Sequence, residues 1–189
     1  ALAALAPTTS VLLTQLETPS ALTAHITARG REHGMTVILD PAPAAELAAE
    51  IWRSIDIVTP NETEASLISG IQVTDAASAE RAGHWFLEQG VGAAVITLAG
   101  QGSCVVTAEG ATVVPPFPVE AVDTTAAGDA YAGYLGAALA SGAALTDAVR
   151  LATAAGALTV TKQGASPSLP HRADVEAFLA ARTAAPVAN

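Results

Sequence analysis

Short apolar runs alternate with longer helix-patterned stretches along nearly the whole chain. This alternation limits the fold more than any other feature. "SVLLTQLE" (10–17) reads as a buried strand ending in a polar pair, and "PSALTAHITARGREHG" (19–34) follows with helical spacing and a glycine stop. "MTVILDPAP" (35–43) is a second strand, closed by two prolines that cannot continue a helix or a central ladder. "SIDIVTPNETEASLISG" (54–70) gives a short strand, a proline break and a helix starting near Asn61. An amphipathic helix over 75–90 and three strands with glycine-rich turns over 93–117 come next. Three more helices are predicted, after 121–129, over 146–164 and over 171–182. Strand–helix units in this order predict an α/β fold, a mostly parallel sheet with helices on both faces in three layers. The strands on either side of "AEG" (108–110) predict an antiparallel hairpin at one side. No linker divides residues 1–189, which read as one domain.

Composition removes several functions. The chain has 189 residues, a formal charge of −10 and a single lysine, Lys162, so it lacks the clustered cations that nucleic acid or an anionic membrane requires. A small anion remains possible, because backbone amides and bound cations can hold it. The one cysteine, Cys104, falls in a predicted strand; it excludes an internal disulfide or a cysteine zinc site and fits a reducing cytoplasm. No apolar stretch is long enough to span a bilayer, and "ALAALAPTTS" lacks the basic region of a signal peptide. The first residues read as the end of a helix and carry no initiator Met, so material upstream is expected.

In open parallel sheets, sites form beyond the carboxyl ends of the strands. Polar groups fall there at Gln15–Glu17, at Asp40 before "PAP", at Asn61–Glu64 and in "TLAGQG" (97–102), with "DTTAAGD" (123–129) as a fifth. In "AAGD", small residues let the backbone approach a ligand, and the amides of Ala127, Gly128 and Asp129 open a helix whose dipole favours an anion. A carboxylate in the same turn is awkward beside phosphate but suits a general base that takes a proton from an attacking hydroxyl.

Each of these residues also has a plainer reading. Asp129 favours a helix start by charge alone. Glu17 reads equally as a solvated acid, "TLAGQG" as a hairpin turn, and Ser168 as a loop residue between Pro167 and Leu169. "NETE" fits a capping box, with Asn61 as N-cap and Glu64 at the third helical position, which is compatible with function. The histidines at 25, 33, 84 and 171 read as surface or packing residues, and Trp52, Trp85 and Phe86 as core.

"VDTTAAGDAYAG" resembles the second signature of the ribokinase/PfkB family of carbohydrate kinases, and "QLE", "LDPAPA", "TPNETEA" and "KQGASPSLP" stand in that family's order and spacing. Ala126, where many members have glycine, and "GASPSLP" point to the ribokinase branch. The resemblance covers only the C-terminal part of such an enzyme, without the N-terminal part and its β-sheet lid, so it implies an incomplete ribokinase-like α/β/α sandwich. It implies ATP-dependent phosphorylation of the primary hydroxyl of D-ribose in the cytoplasm, with Mg²⁺ and K⁺, and a homodimer paired through the lid. By the same resemblance, Asp129 would be the base, with Ala126, Ala127 and Gly128 as the anion hole. Glu17, with Asp129, would bind the sugar. Asn61, Thr97, Ala99, Gly102 and Gly128 would face the nucleotide, and Glu64 would hold Mg²⁺ through water. Asp123, Thr125, Thr159, Lys162, Gly164 and Ser168 would surround K⁺, largely through backbone carbonyls. One departure is Ala99, in "TLA" where the family has Thr-Leu-Gly, which bears on the geometry of the nucleotide cleft.

A Walker-type NTPase is excluded, because the only lysine follows Thr161 rather than a glycine. A dinucleotide dehydrogenase is disfavoured, because "GQGSCV" leads into a strand and lacks the third glycine. Two alternatives stay open: another sugar or nucleoside kinase of the same family, and a nucleotide-binding fragment that turns nothing over.

Overall fold

The structure, a computed structural model, describes residues 8–183 together with Ala4. Most of the opening helix end (1–3 and 5–7) thus lies outside the described residues. Six strands form one sheet: β1 (Val11–Thr14), β2 (Thr36–Leu39), β3 (Ile57–Val58), β4 (Ala93–Thr97), β5 (Ser103–Thr107) and β6 (Gly110–Val114), side by side in chain order. β1 to β4 are parallel, while β5 runs antiparallel to both β4 and β6. The helices are α1 (Ser20–Glu32), α2 (Ala49–Trp52), α3 (Glu62–Ser69), α4 (Ala76–Glu88), α5 (Ala127–Ala140), α6 (Leu145–Thr159) and α7 (Arg172–Thr183).

Both faces of the sheet are covered, as the near-continuous apolar runs require. Right-handed crossovers that always step the same way put every connecting helix on one face. Alternation along the strands then divides the core. Val37, Leu39, Ala94, Ile96 and Val106 join the α2–α4 side with Trp52 and Phe86. Ile38, Val95 and Val105 join the α5–α6 side with Tyr131, Leu135 and Val149. Trp52, Trp85 and Phe86 pack edge to face with centroids 5.1–6.3 Å apart. Cys104 is buried in β5, as its strand context predicts.

Two element boundaries differ from the sequence reading. The run 10–17 is not a buried strand throughout. β1 stops at Thr14, the chain turns so that Leu16 N–H donates to Ala42 O at 2.9 Å, and Leu13 is 39% exposed because β1 has a neighbour on one side only among the described residues. The helix predicted over 146–164 ends at Thr159. The carbonyl of Val160 leaves the helical ladder and accepts instead from the amides of Val122 and Asp123, at 2.7 and 3.2 Å.

α5 is seated by small residues and one polar contact. Buried alanines at 130, 138, 148 and 152 let α5 and α6 approach closely. The Tyr131 hydroxyl donates to Ser103 Oγ on β5 at 2.9 Å, and burial pushes this phenol up to about 12. No helix among the described residues is long and apolar enough to cross a membrane.

The α4–β5 contact makes a prediction. A methyl at Gly83 would lie 2.7 Å from Val106 Cβ and 2.4 Å from its Cγ2. On helix propensity alone Gly83→Ala gains about 1 kcal/mol. Overpacking against a branched side chain reverses the sign, and we expect the substitution to lower stability by about 1–3 kcal/mol in urea unfolding.

Candidate active site

Because β1 to β4 are parallel, their carboxyl ends share one rim. In register with Thr14 and Leu39, Gln15 and Asp40 are neighbours on it. Asn61, past the end of β3, and Thr97, the last residue of β4, form an isolated parallel bridge, with Thr97 N–H donating to Pro60 O at 3.0 Å.

On the β1 side, an open cleft of about 320 Å³ is lined by Gln15, Glu17 and Asp129, with Leu13 and Ala132 beneath. Glu17 and Asp129, predicted to share a ligand, therefore face the same space, and both are exposed. Gln15 Nε2 lies 3.2 Å from Asp40 Oδ2 and 3.4 Å from Asp129 Oδ1. Asp40 is only 7% exposed. Burial raises its pKa first of all, the Gln15 hydrogen bond opposes this, and the charges of Asp129 and Glu17 add to the rise.

On the nucleotide side of the prediction, Asn61 caps α3. Its Oδ1 accepts from Glu64 N–H and Glu64 Oε2 accepts from Asn61 N–H, both at 2.9 Å, the reciprocal box read from the sequence. Burial raises the pKa of Glu64; the Asn61 backbone bond opposes it, and the charge of Asp40 pushes it up further. The turn after β4 is a short 3₁₀ segment, Ala99–Gln101, closed by Leu98 N–H donating to Gly102 O at 2.8 Å. Gly102 has φ 92°, and a Cβ there would fall 2.1 Å from Val114 O, so the close pass of β6 requires glycine.

At the start of α5, Ala126 is the cap residue in the left-handed region (φ 61°). Ala127 N–H already donates to Thr124 O at 3.2 Å, so it is not a free member of the predicted anion hole. Ala130 N–H donates to Ala126 O, and among the described residues the amides of Gly128 and Asp129 between them have no acceptor. Those two remain available to an anion.

The predicted cation loops are tied together in part. Asp123 Oδ1 accepts from Thr125 Oγ1 (2.6 Å) and N–H (2.9 Å), and Oδ2 accepts from Gly164 N–H (2.9 Å). Thr159 Oγ1 instead donates to Ala155 O inside α6, and Ser168 Oγ to Ala165 O in its own turn. Lys162 meets this region through its amide, which donates to Thr159 O. Among the described residues no group of three or more His, Cys, Asp or Glu side chains is placed to hold a metal ion.

A family model for pfkB family carbohydrate kinases matches residues 3–172. The chain belongs to the pfkB family of carbohydrate kinases. It is 40% identical over 168 residues to the ribokinase of Haemophilus influenzae, which covers 89% of this chain and 55% of that relative. To the Staphylococcus aureus ribokinase it is 39% identical over 160 residues, 84% of this chain and 53% of that one. Its fold matches the crystal structure of Thermotoga maritima ribokinase with a TM-score of 0.84 at 39% identity, over 93% of this chain and 59% of the other. Arabidopsis thaliana ribokinase, solved in complex with ribose and ATP, gives 0.86 at 29% identity, over 90% and 55%. The chain thus spans about half the length of the curated relatives it matches.

Three features of this pfkB site escape a reading of the sequence. Gln15 and Asp40 stand out only as polar ends of two runs; their partnership needs the β1–β2 register. The non-glycine residues with positive φ among the described residues are Ala99 (41°) and Ala126 (61°), and both lie in predicted ligand loops. An alanine gives no local sign of positive φ, which glycine takes without strain. The third is Ala127, whose amide is consumed by the turn itself.

Two predictions follow from these loops. A left-handed alanine costs about 1–2 kcal/mol. Ala126→Gly removes that strain but loosens the unfolded chain, so we expect a net gain of roughly 0.5–1 kcal/mol, read as a higher Tm. The Thr125 hydroxyl, then the Gly164 and Thr125 amides, hold the Asp123 carboxyl down to about 2 from an ordinary 3.8. Its stabilising contribution is complete above 3.8 and fades as pH falls through about 2. Asp123→Ala should therefore be less stable than wild type at neutral pH, with the gap closing across that acid window in pH-dependent unfolding.

Proposed function

We propose that residues 1–189 are the C-terminal, nucleotide-binding portion of an ATP-dependent sugar kinase, and that the reaction of the whole protein converts D-ribose to ribose 5-phosphate. The observation that carries this reading is the meeting of Asp129 and Glu17 at one cleft on the rim of the parallel sheet, with the free Gly128 and Asp129 amides in the same helical turn. The ribokinases among its relatives, one solved with ribose and ATP, support the choice of substrates.

In this reading Glu17 accepts hydrogen bonds from sugar hydroxyls and places the primary hydroxyl against Asp129. Asp129 takes the proton as that oxygen attacks. Gly128 and Asp129 amides, with the positive end of α5, receive charge from the moving phosphoryl group. Asn61, Thr97, Ala99 and Gly102 border the nucleotide on the β3–β4 side. Glu64 suits Mg²⁺ held through water, because the charge of Asp40 acting on Glu64 is a like-charge conflict that a cation relieves. K⁺ is placed between the 121–125 and 159–168 loops, whose mutual hydrogen bonds support a shared site; Asp123, already holding three donors, would act mainly through its charge. Dimerisation through a lid and a cytoplasmic location belong to the same proposal.

A second reading, nucleotide binding without turnover by residues 1–189 alone, is favoured by the exposure of Glu17 and Asp129, since an open cleft admits water to the phosphoryl group. One assay, run on the full-length protein and on residues 1–189, separates the two: turnover by residues 1–189 alone overturns the second reading. ATP- and Mg²⁺-dependent phosphorylation of D-ribose is expected from the full-length protein, with Asp129→Asn lowering kcat by about 10²–10⁴-fold and leaving the KM for ATP nearly unchanged. Undiminished turnover in Asp129→Asn would overturn the role of this residue; a preference for deoxyribose or a nucleoside would move the enzyme elsewhere in the family.

A further inference from the structure

Among the described residues, Gln15 is the one side chain hydrogen-bonded to both the strand rim and the candidate base. It leaves the end of β1 with its Nε2 between the Asp40 and Asp129 carboxylates, 3.2 and 3.4 Å away. A primary amide carries two N–H donors on that nitrogen, one for each acid. The opposite flip would put its carbonyl oxygen against two carboxylates, so the orientation is fixed by charge as well as by geometry. Asp40 is buried at the end of β2, one step past the Thr14–Leu39 register pair, and its own amide donates to Thr14 O at 2.9 Å. Its backbone is thus held by the sheet. Asp129, by contrast, sits exposed in the first turn of α5, where its side chain has little packing to choose a rotamer.

We infer that Gln15, anchored by the buried Asp40 carboxylate, is a positioning residue that holds the Asp129 side chain toward the cleft. A neutral double donor suits this place. Glutamate would add a third negative charge, and lysine would neutralise the base it is meant to aim. The inference rests on the phosphoryl-transfer reading of Asp129.

The test uses the full-length protein and steady-state kinetics with ribose and MgATP. Gln15→Ala should lower kcat by about 10- to 100-fold, the scale of a misplaced reacting group, with both KM values and the Tm close to wild type. Asp40→Ala should give a similar loss. Asp40→Asn, whose Oδ1 still accepts from Gln15, should recover most of it. A kcat for Gln15→Ala within error of wild type, or Asp40→Asn as slow as Asp40→Ala, overturns the inference. Absence of ribose turnover in the wild type refutes the kinase reading instead, and NMR titration of Asp40 then decides. Its midpoint rises in Gln15→Ala if the tether exists, because the charged form loses a donor. An unmoved midpoint overturns it.

Discussion

Everything at the candidate site depends on how α5 lies on the sheet. A first-turn carboxylate and two free amides matter only if that turn overhangs the carboxyl ends of β1 to β4. Two different forces put it there. Apolar burial of Tyr131, Leu135 and Ala138 against Ile38, Val95 and Val105 presses the helix to the sheet but sets its position along the axis only loosely. The Tyr131–Ser103 hydrogen bond, made where both groups have left water, has one allowed length and direction. It lies two residues from Asp129, so the first turn of α5 is registered against β5 while the cleft is built on β1.

The rim itself is an electrostatic conflict. Asp40 feels Asp129 and Glu17, and Glu64 feels Asp40. In a chain with eight Lys and Arg, no ion pair among the described residues involves any of these four acids. The burial of Asp40 without a cation is tolerated because Gln15 supplies a donor, yet its pKa still rises. Such clusters of like charge cost stability and are common where chemistry is done.

Much of the fold was legible because its signals are local. The alternation of Val37, Ile38 and Leu39 between two cores, the Asn61–Glu64 capping box and the edge-on aromatic group around Phe86 all follow from spacing or residue type. What was not legible is either long-range or hidden in the backbone. β1 reads as a buried strand because its residues are apolar, but whether a second strand pairs with its outer edge is not written in those residues. The helix predicted over 146–164 contains no proline to end it early, and that the Val160 carbonyl turns instead to the 122–123 amides is a long-range contact. The loops around Asp123 show the same limit: that its carboxylate reaches the Gly164 amide, 41 residues on, is a long-range contact no local pattern announces.

The strained alanines connect these themes to charge. Residues 1–189 carry a net charge of −10 with one lysine, so their field repels a polyanion at long range. Any affinity of this rim for an anion has to come at short range, from backbone N–H groups. Backbone donors are free where a helix has only begun, as the two amides of the first turn of α5 are, directly after the left-handed Ala126. Positive φ at an alanine is therefore more than a local defect. Ala126 stands directly before the two free amides of α5, and burial of α5 and of the β4–β5 turn around Leu98 supplies the stability that offsets the strain.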